Sequence, residues 1–96
     1  MSLPVVFSPS ARKSFLSIIK NIQEKWGKKS SEKFKSLAVK TLKNLSLQPN
    51  MFKASSLAHN IRRGIISKQT SFYYQIYPDK IEILFFVDNR HEPLIE

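Results

Sequence analysis

Two apolar stripes at helical spacing, broken by a glycine, constrain this chain more than any other feature. Phe15, Ile18, Ile19, Ile22 and Trp26 recur at steps of three and four. Such a stripe predicts a helix of about five turns with one face buried. Ser8 can cap it, and Pro9 suits its first position, where a missing N–H costs nothing. Gly27 fits its stop. Phe34, Leu37, Ala38, Leu42 and Leu45 repeat the spacing, with Ser30 or Ser31 available as a cap and Pro49 as a terminator. The connection is about three residues, so the helices are expected to pack antiparallel as a hairpin. Trp26 lies on the first stripe and reads as core.

Outside the hairpin the pattern changes. Val5–Phe7, ended by Ser8-Pro9, suits an opening strand. Residues 46–60 have no clear period and read as loop, His59 included. Ile61–Ser67, Phe72–Tyr77 and Lys80–Asp88 are rich in Ile, Phe, Tyr and Val, which predicts three strands. In the last run Ile81, Ile83, Phe85 and Val87 form a fully apolar face, as expected of a central strand. Lys68–Thr70 and Pro78–Asp79 fall where hairpin turns belong. The predicted order is β-α-α-β-β-β. It gives an α+β fold, a helical hairpin packed on one face of an antiparallel sheet. Residues 1–96 read as a single domain.

Composition limits the chemistry. There is no cysteine, which excludes a disulfide framework, a thiolate metal site and a cysteine nucleophile. Two histidines without an HExxH motif offer no metal centre, and neither metal nor cofactor is expected. No apolar run approaches the roughly 18 residues of a membrane span, so a cytoplasmic protein is the expectation. The formal net charge of +9 is lopsided. Residues 1–48 hold ten Lys/Arg against only Glu24 and Glu32. A field of one sign favours polyanions or an acidic protein partner, although a lysine-rich helix face can also be plain solvation.

The candidate chemistry lies in the strands. Arg62 and Arg63 are adjacent and point to opposite faces, so one of them should reach the uncovered face or its rim. Arg90 and His91 follow the last strand. The start of the first meander strand and the end of the third are expected to share one end of the sheet, bringing these groups together. Two guanidinium groups and an imidazole there could bind a phosphodiester and move a proton. With a 2′-hydroxyl as nucleophile, such a cluster would cleave RNA without metal. Tyr73, Tyr74 and Tyr77 could stack on bases. The plainer alternative pairs the arginines with Asp79, Glu82 or Asp88, and leaves the tyrosines to strand and core.

The ordered set of features resembles a known family. The opening "VVFSPSARKSFLSIIKNIQEKWG" is similar to the strand, Ser-Pro and helix that begin the RelE/ParE superfamily of bacterial type II toxins. "NIRRGIISKQTSFYYQIYPDKIEILFFVDNRHEP" resembles its three-strand meander, with Asp88, Arg90 and Pro93 standing for an Asp-x-Arg-x-x-Pro-like tail. The resemblance implies a toxin held inactive by a cognate acidic antitoxin. RelE-like members cut messenger RNA on the ribosome without a metal, and the function expected first from the resemblance is such an endoribonuclease. By that likeness Arg62, Arg63, Arg90 and His91 would be catalytic, and Lys53 and Lys68 would bind RNA. A catalytic-type tyrosine after the last strand is absent here. ParE-like members instead inhibit DNA gyrase without chemistry of their own, and share the long helical hairpin. An inactive, basic nucleic-acid-binding domain is the third alternative.

Overall fold

The computed structural model describes residues 2–55 and 60–89. The elements are β1 (Val5–Phe7), α1 (Pro9–Trp26), α2 (Lys28–Leu47), β2 (Ile61–Ser67), β3 (Thr70–Ile76) and β4 (Ile81–Asp88). The sheet has the order β1-β4-β3-β2. The meander β2-β3-β4 is antiparallel, as expected. β1 adds to the outside of β4 in parallel, so the whole sheet is mixed. β4 is central, as its apolar faces predict.

The helical turn is tighter than three residues. Gly27 alone separates an 18-residue helix from a 20-residue one. Its φ of +93° is open to a residue without Cβ and reverses the chain in one step. The Gly27 N–H donates to the Gln23 carbonyl at 2.9 Å, and its own carbonyl accepts from the Ser31 N–H at 3.2 Å. Ser31 therefore lies inside α2, buried, donating to the Lys28 carbonyl instead of capping the helix. Trp26 is also displaced from its expected place. At the end of α1, beside this turn, it is 65% exposed.

The strand bounds move slightly. A two-residue turn at Lys68-Gln69 lets β3 begin at Thr70 rather than Phe72. The larger correction is in β4. Tyr73 pairs with Phe85 while Tyr74 pairs with Ile83, which leaves Leu84 as an extra residue in a bulge. One inserted residue reverses the faces of all that follow. Ile81 and Ile83 face the helices, but the core phase resumes on Phe86, 5% exposed, and not on Phe85, 38% exposed. Val87 follows Phe85 to the other face.

The bulge is held by the first turns of α1. The Ser8 Oγ accepts the Ala11 N–H at 3.0 Å, capping the helix, and donates to the Leu84 carbonyl at 2.7 Å. Between helices and sheet lies an aromatic core. Phe15 packs on Phe7, Phe34 and Phe86, and Phe72 packs on Phe86, Tyr74 and Phe52. Full burial of one such ring contributes about 1.5–3 kcal/mol. This layer covers one face of the sheet and leaves the other to Arg63, Tyr73 and Phe85.

Candidate functional site

The edge of β2 is partly covered by the segment that precedes it. Ala54 forms an antiparallel bridge with Arg62, the Ser55 N–H donates to the Ile61 carbonyl at 2.7 Å, and the Arg63 N–H to the Lys53 carbonyl at 3.3 Å. Between this segment and β2 is a cavity of about 590 Å³, lined by Met51, Phe52, Lys53, Arg63 and Ile65 among others. Lys53 and Arg63, two of the residues expected to meet nucleic acid, therefore line one space.

Arg62 and Arg63 do diverge across the sheet. Arg62 lies opposite Tyr74, on the helix side, and its Nη1 donates to the Phe52 carbonyl at 2.6 Å. That bond ties the 51–55 segment to β2. Arg63 lies opposite Tyr73 on the open face, and its Nη2 donates to the Ser71 hydroxyl oxygen at 2.9 Å. The same oxygen accepts from the Asn89 side-chain amide at 2.8 Å. Asn89 also donates its backbone N–H to the Gln69 carbonyl at 2.7 Å.

This geometry corrects the expected convergence. Alternate strands of a meander run in the same direction. The start of β2 aligns with Gln75 and Glu82, whereas the end of β4 aligns with Thr70 and the β2–β3 turn. They lie at opposite ends. The length of the Arg63 side chain partly restores the proximity, because its guanidinium reaches along the sheet to Ser71 and so to Asn89. Arg90 and His91 lie outside the described residues. So does His59.

The tyrosines separate into three environments. Tyr74 is fully buried among Phe52 and Phe72 and donates its hydroxyl to the Pro49 carbonyl at 2.9 Å. It offers no ring face to a base. Burial pushes its phenol up to about 12, against downward pulls from the Arg62 guanidinium and the Phe52 backbone. Tyr73 is on the open face but buried, its ring 5.0 Å from that of Phe85. Tyr77 follows β3 at the far end. Its hydroxyl donates to Glu82 at 3.3 Å, and the Lys80 ammonium lies 5.2 Å from its ring centre. Desolvation raises its phenol, and the Glu82 charge adds to that. Lys68 is exposed in the β2–β3 turn, away from the Lys53 cavity.

What this arrangement can do is bind an anion. The Arg63 guanidinium, the Ser71 hydroxyl and the Asn89 amide meet at one oxygen, and a guanidinium matches phosphate or carboxylate by its planar fork and fixed charge. The register neighbours of Arg63 on this face are Tyr73 across the ladder and Ile61 and Ile65 along the strand. Among the described residues no three His, Asp or Glu side chains gather as a metal site. No helix among them is long and apolar enough to cross a membrane. Ser71 and Asn89 were not singled out from the sequence. The available signal was a small polar residue on the open-face phase of an otherwise aromatic strand.

Residues 5–93 match the family model described as the ParE toxin of the type II toxin–antitoxin system parDE. No curated protein matches the sequence. Among solved structures, the fold is similar to one from the chromosomal ParDE system of P. aeruginosa, with TM-score 0.77, 16% identity, and coverage of 91% of this chain and 96% of that one. It is similar to YoeB of Staphylococcus aureus at TM-score 0.61, 16% identity, and coverage of 91% and 97%. It is also similar to a chain of the E. coli DinJ-YafQ complex at TM-score 0.57, 11% identity, and coverage of 98% and 100%.

Proposed function

The chain belongs to the ParE toxin family of type II toxin–antitoxin systems, and from that premise we propose that it arrests growth by binding its target, DNA gyrase, rather than by chemistry of its own. One observation carries this reading. Two of the side chains a nuclease would use are taken up by the fold, Arg62 by the Phe52 carbonyl and Tyr74 by burial. A phosphodiester cleavage needs a base and an acid within hydrogen-bond reach. A binding protein needs neither. The long hairpin around Gly27 agrees with the ParE-like alternative.

The second reading is ribosome-dependent cleavage of messenger RNA. It is favoured by the meeting of Arg63 and Asn89 on the Ser71 hydroxyl, since Arg90 and His91 follow Asn89 in the sequence. Lys53 and Lys68 would then support the RNA. Both readings act in the cytoplasm, and both require neutralisation by an acidic antitoxin that folds on this basic surface.

Two assays separate the readings. Purified protein with gyrase and relaxed plasmid should block supercoiling or accumulate gyrase-linked breaks. With translating ribosomes, transcript ends should remain unchanged. New transcript ends that vanish in Arg63→Ala and His91→Ala, with gyrase unaffected, would replace the first reading by the second.

A further inference from the structure

The tip of the helical hairpin and the β2–β3 turn enclose a cleft on the helix side of the sheet. Its apolar wall is Ile22 and Trp26 from α1 and Phe34 from α2, and the facing lip is Ser67, Gln69 and Thr70. Ser30 completes it. The volume is about 270 Å³, just under the roughly 300–1,000 Å³ of pockets that enclose a whole drug-sized ligand. A flat ring with polar edges suits such a space. The apolar wall takes its face, and three hydroxyls and an amide take its edges. Trp26 lines the cleft and is still 65% exposed, so much of its ring is open to a partner.

The charge at its rim is positive. Residues three apart on a helix are neighbours, which puts Lys25 beside Ile22 and Lys33 beside Ser30. Lys68 is exposed between Ser67 and Gln69. Glu24 and Glu32, the two acids of the hairpin, each lie two positions from lining residues and so turn to the other side of their helices. Glu32 is paired there with Lys35 at 3.8 Å. Asp88 lies opposite Thr70 in the sheet but does not line the cleft. The start of α2 adds to the field. Its cap, Gly27, has no side chain to accept the first-turn N–H groups, and no acid follows in that turn.

We propose that this tip is a nucleic-acid contact, separate from the open face, in which Trp26 stacks on an unpaired base over the cleft and Lys25, Lys33 and Lys68 meet the flanking phosphates. Stacking on an exposed ring tolerates any base, and the lysines supply an attraction blind to sequence. An acidic peptide would use the lysines but leave the ring and the polar lip without a matching planar partner. The site goes beyond the choice between gyrase and ribosome. Each of those targets works on nucleic acid, and the tip lies across the sheet from Arg63.

Trp26 is the single tryptophan, so its fluorescence reports the site directly. The full chain is titrated with single strands of about eight nucleotides, oligodeoxyuridylate and oligouridylate, and with a base-free sugar–phosphate strand of the same length. Affinity is read from the anisotropy of labelled strands. The base-bearing strands should quench Trp26 and bind about tenfold or more tightly than the base-free one. The tighter of the two names the nucleic acid, DNA as gyrase holds it or RNA as the ribosome does. Trp26→Ala should remove the preference for bases with the fold intact by circular dichroism, and Trp26→Phe should restore part of it. Lys25→Ala with Lys33→Ala should lower the slope of log affinity against log salt by about 1.4, the share of two phosphates on a single strand. Three results would overturn the proposal: no quenching at millimolar strand, equal binding of the base-free strand or of poly-glutamate, or a base preference that survives in Trp26→Ala.

Discussion

The Ser14 hydroxyl oxygen accepts the backbone N–H of Phe86 at 2.9 Å, joining the first turns of α1 to the central strand β4. Phe86 follows the bulge at Leu84. Ser14 also donates to the carbonyls of Ser10 and Ala11, at 2.8 and 3.2 Å. Removing its hydroxyl leaves the Phe86 donor without that partner beneath a helix. Ser14→Ala should therefore destabilise the protein by about 1–3 kcal/mol. Ser10→Ala, at an exposed position, should stay within about 0.5 kcal/mol. Urea unfolding of both variants checks the contrast. Equal midpoints would mean that the bulge is held without Ser14.

Gly64 owes its place to a neighbouring ring. It pairs with Phe72 across β2 and β3, and a Cβ at Gly64 would run into the end of the Phe72 ring. Phe72 is fully buried and packs on Phe52, Tyr74 and Phe86, so it has little room to withdraw. Gly64→Ala should cost about 1–3 kcal/mol as an overpacked core, despite the gain in strand propensity. In the variant with a smaller ring partner, Gly64→Ala with Phe72→Leu, the penalty of the added methyl should shrink. A double-mutant cycle by denaturant unfolding reads this coupling directly.

How far the sequence could be read is clearest at these positions. Val5–Phe7 and Ile61–Ser67 were legible to the residue, because short β-branched runs ended by Pro or a polar turn have few alternatives. The helical stripes were legible for the same reason. The bulge was not. Phe85 and Phe86 are chemically identical, so no pattern says which faces the helices once Leu84 is looped out. Nor could periodicity place Trp26, since a stripe continues to the end of a helix whether or not the sheet extends beneath it. The divergence of Arg62 and Arg63 follows from strand alternation alone. Their partners, the Phe52 carbonyl and the Ser71 hydroxyl, depend on loop path and register.

Trp26 gives a direct reading of that helix end. It is the single tryptophan, 65% exposed, with Lys25 and Lys28 beside it in sequence. Its fluorescence should resemble that of indole in water and be quenched readily by iodide, an anion drawn to the lysines. Trp26→Ser should change stability by less than about 1 kcal/mol, where a core tryptophan would cost about 3–5. If an interface covers this tip in the complex with gyrase, quenching should fall on binding, and the same substitution should weaken inhibition while leaving the fold unchanged.

Tyr74 supplies a pH signature of the buried side of the sheet. Its phenol is raised to about 12 in the folded chain, chiefly by burial, while the unfolded chain returns it to the ordinary value of 10.0. The folded state thus holds its proton more tightly. The stability gained in this way is fully present below pH 10 and is lost as pH rises from 10 toward 12. Unfolding free energy should accordingly decline through that window. In Tyr74→Phe this share of the decline should disappear. The substitution should also cost about 1 kcal/mol at neutral pH, because the Pro49 carbonyl loses its donor. Ultraviolet titration of phenolate provides the independent measurement. The wild type should show a tyrosine that ionises near pH 12 and is missing from Tyr74→Phe. A wild-type titration complete by pH 11 would place the Tyr74 hydroxyl in water, and would undo its assignment as a buried donor to the Pro49 carbonyl.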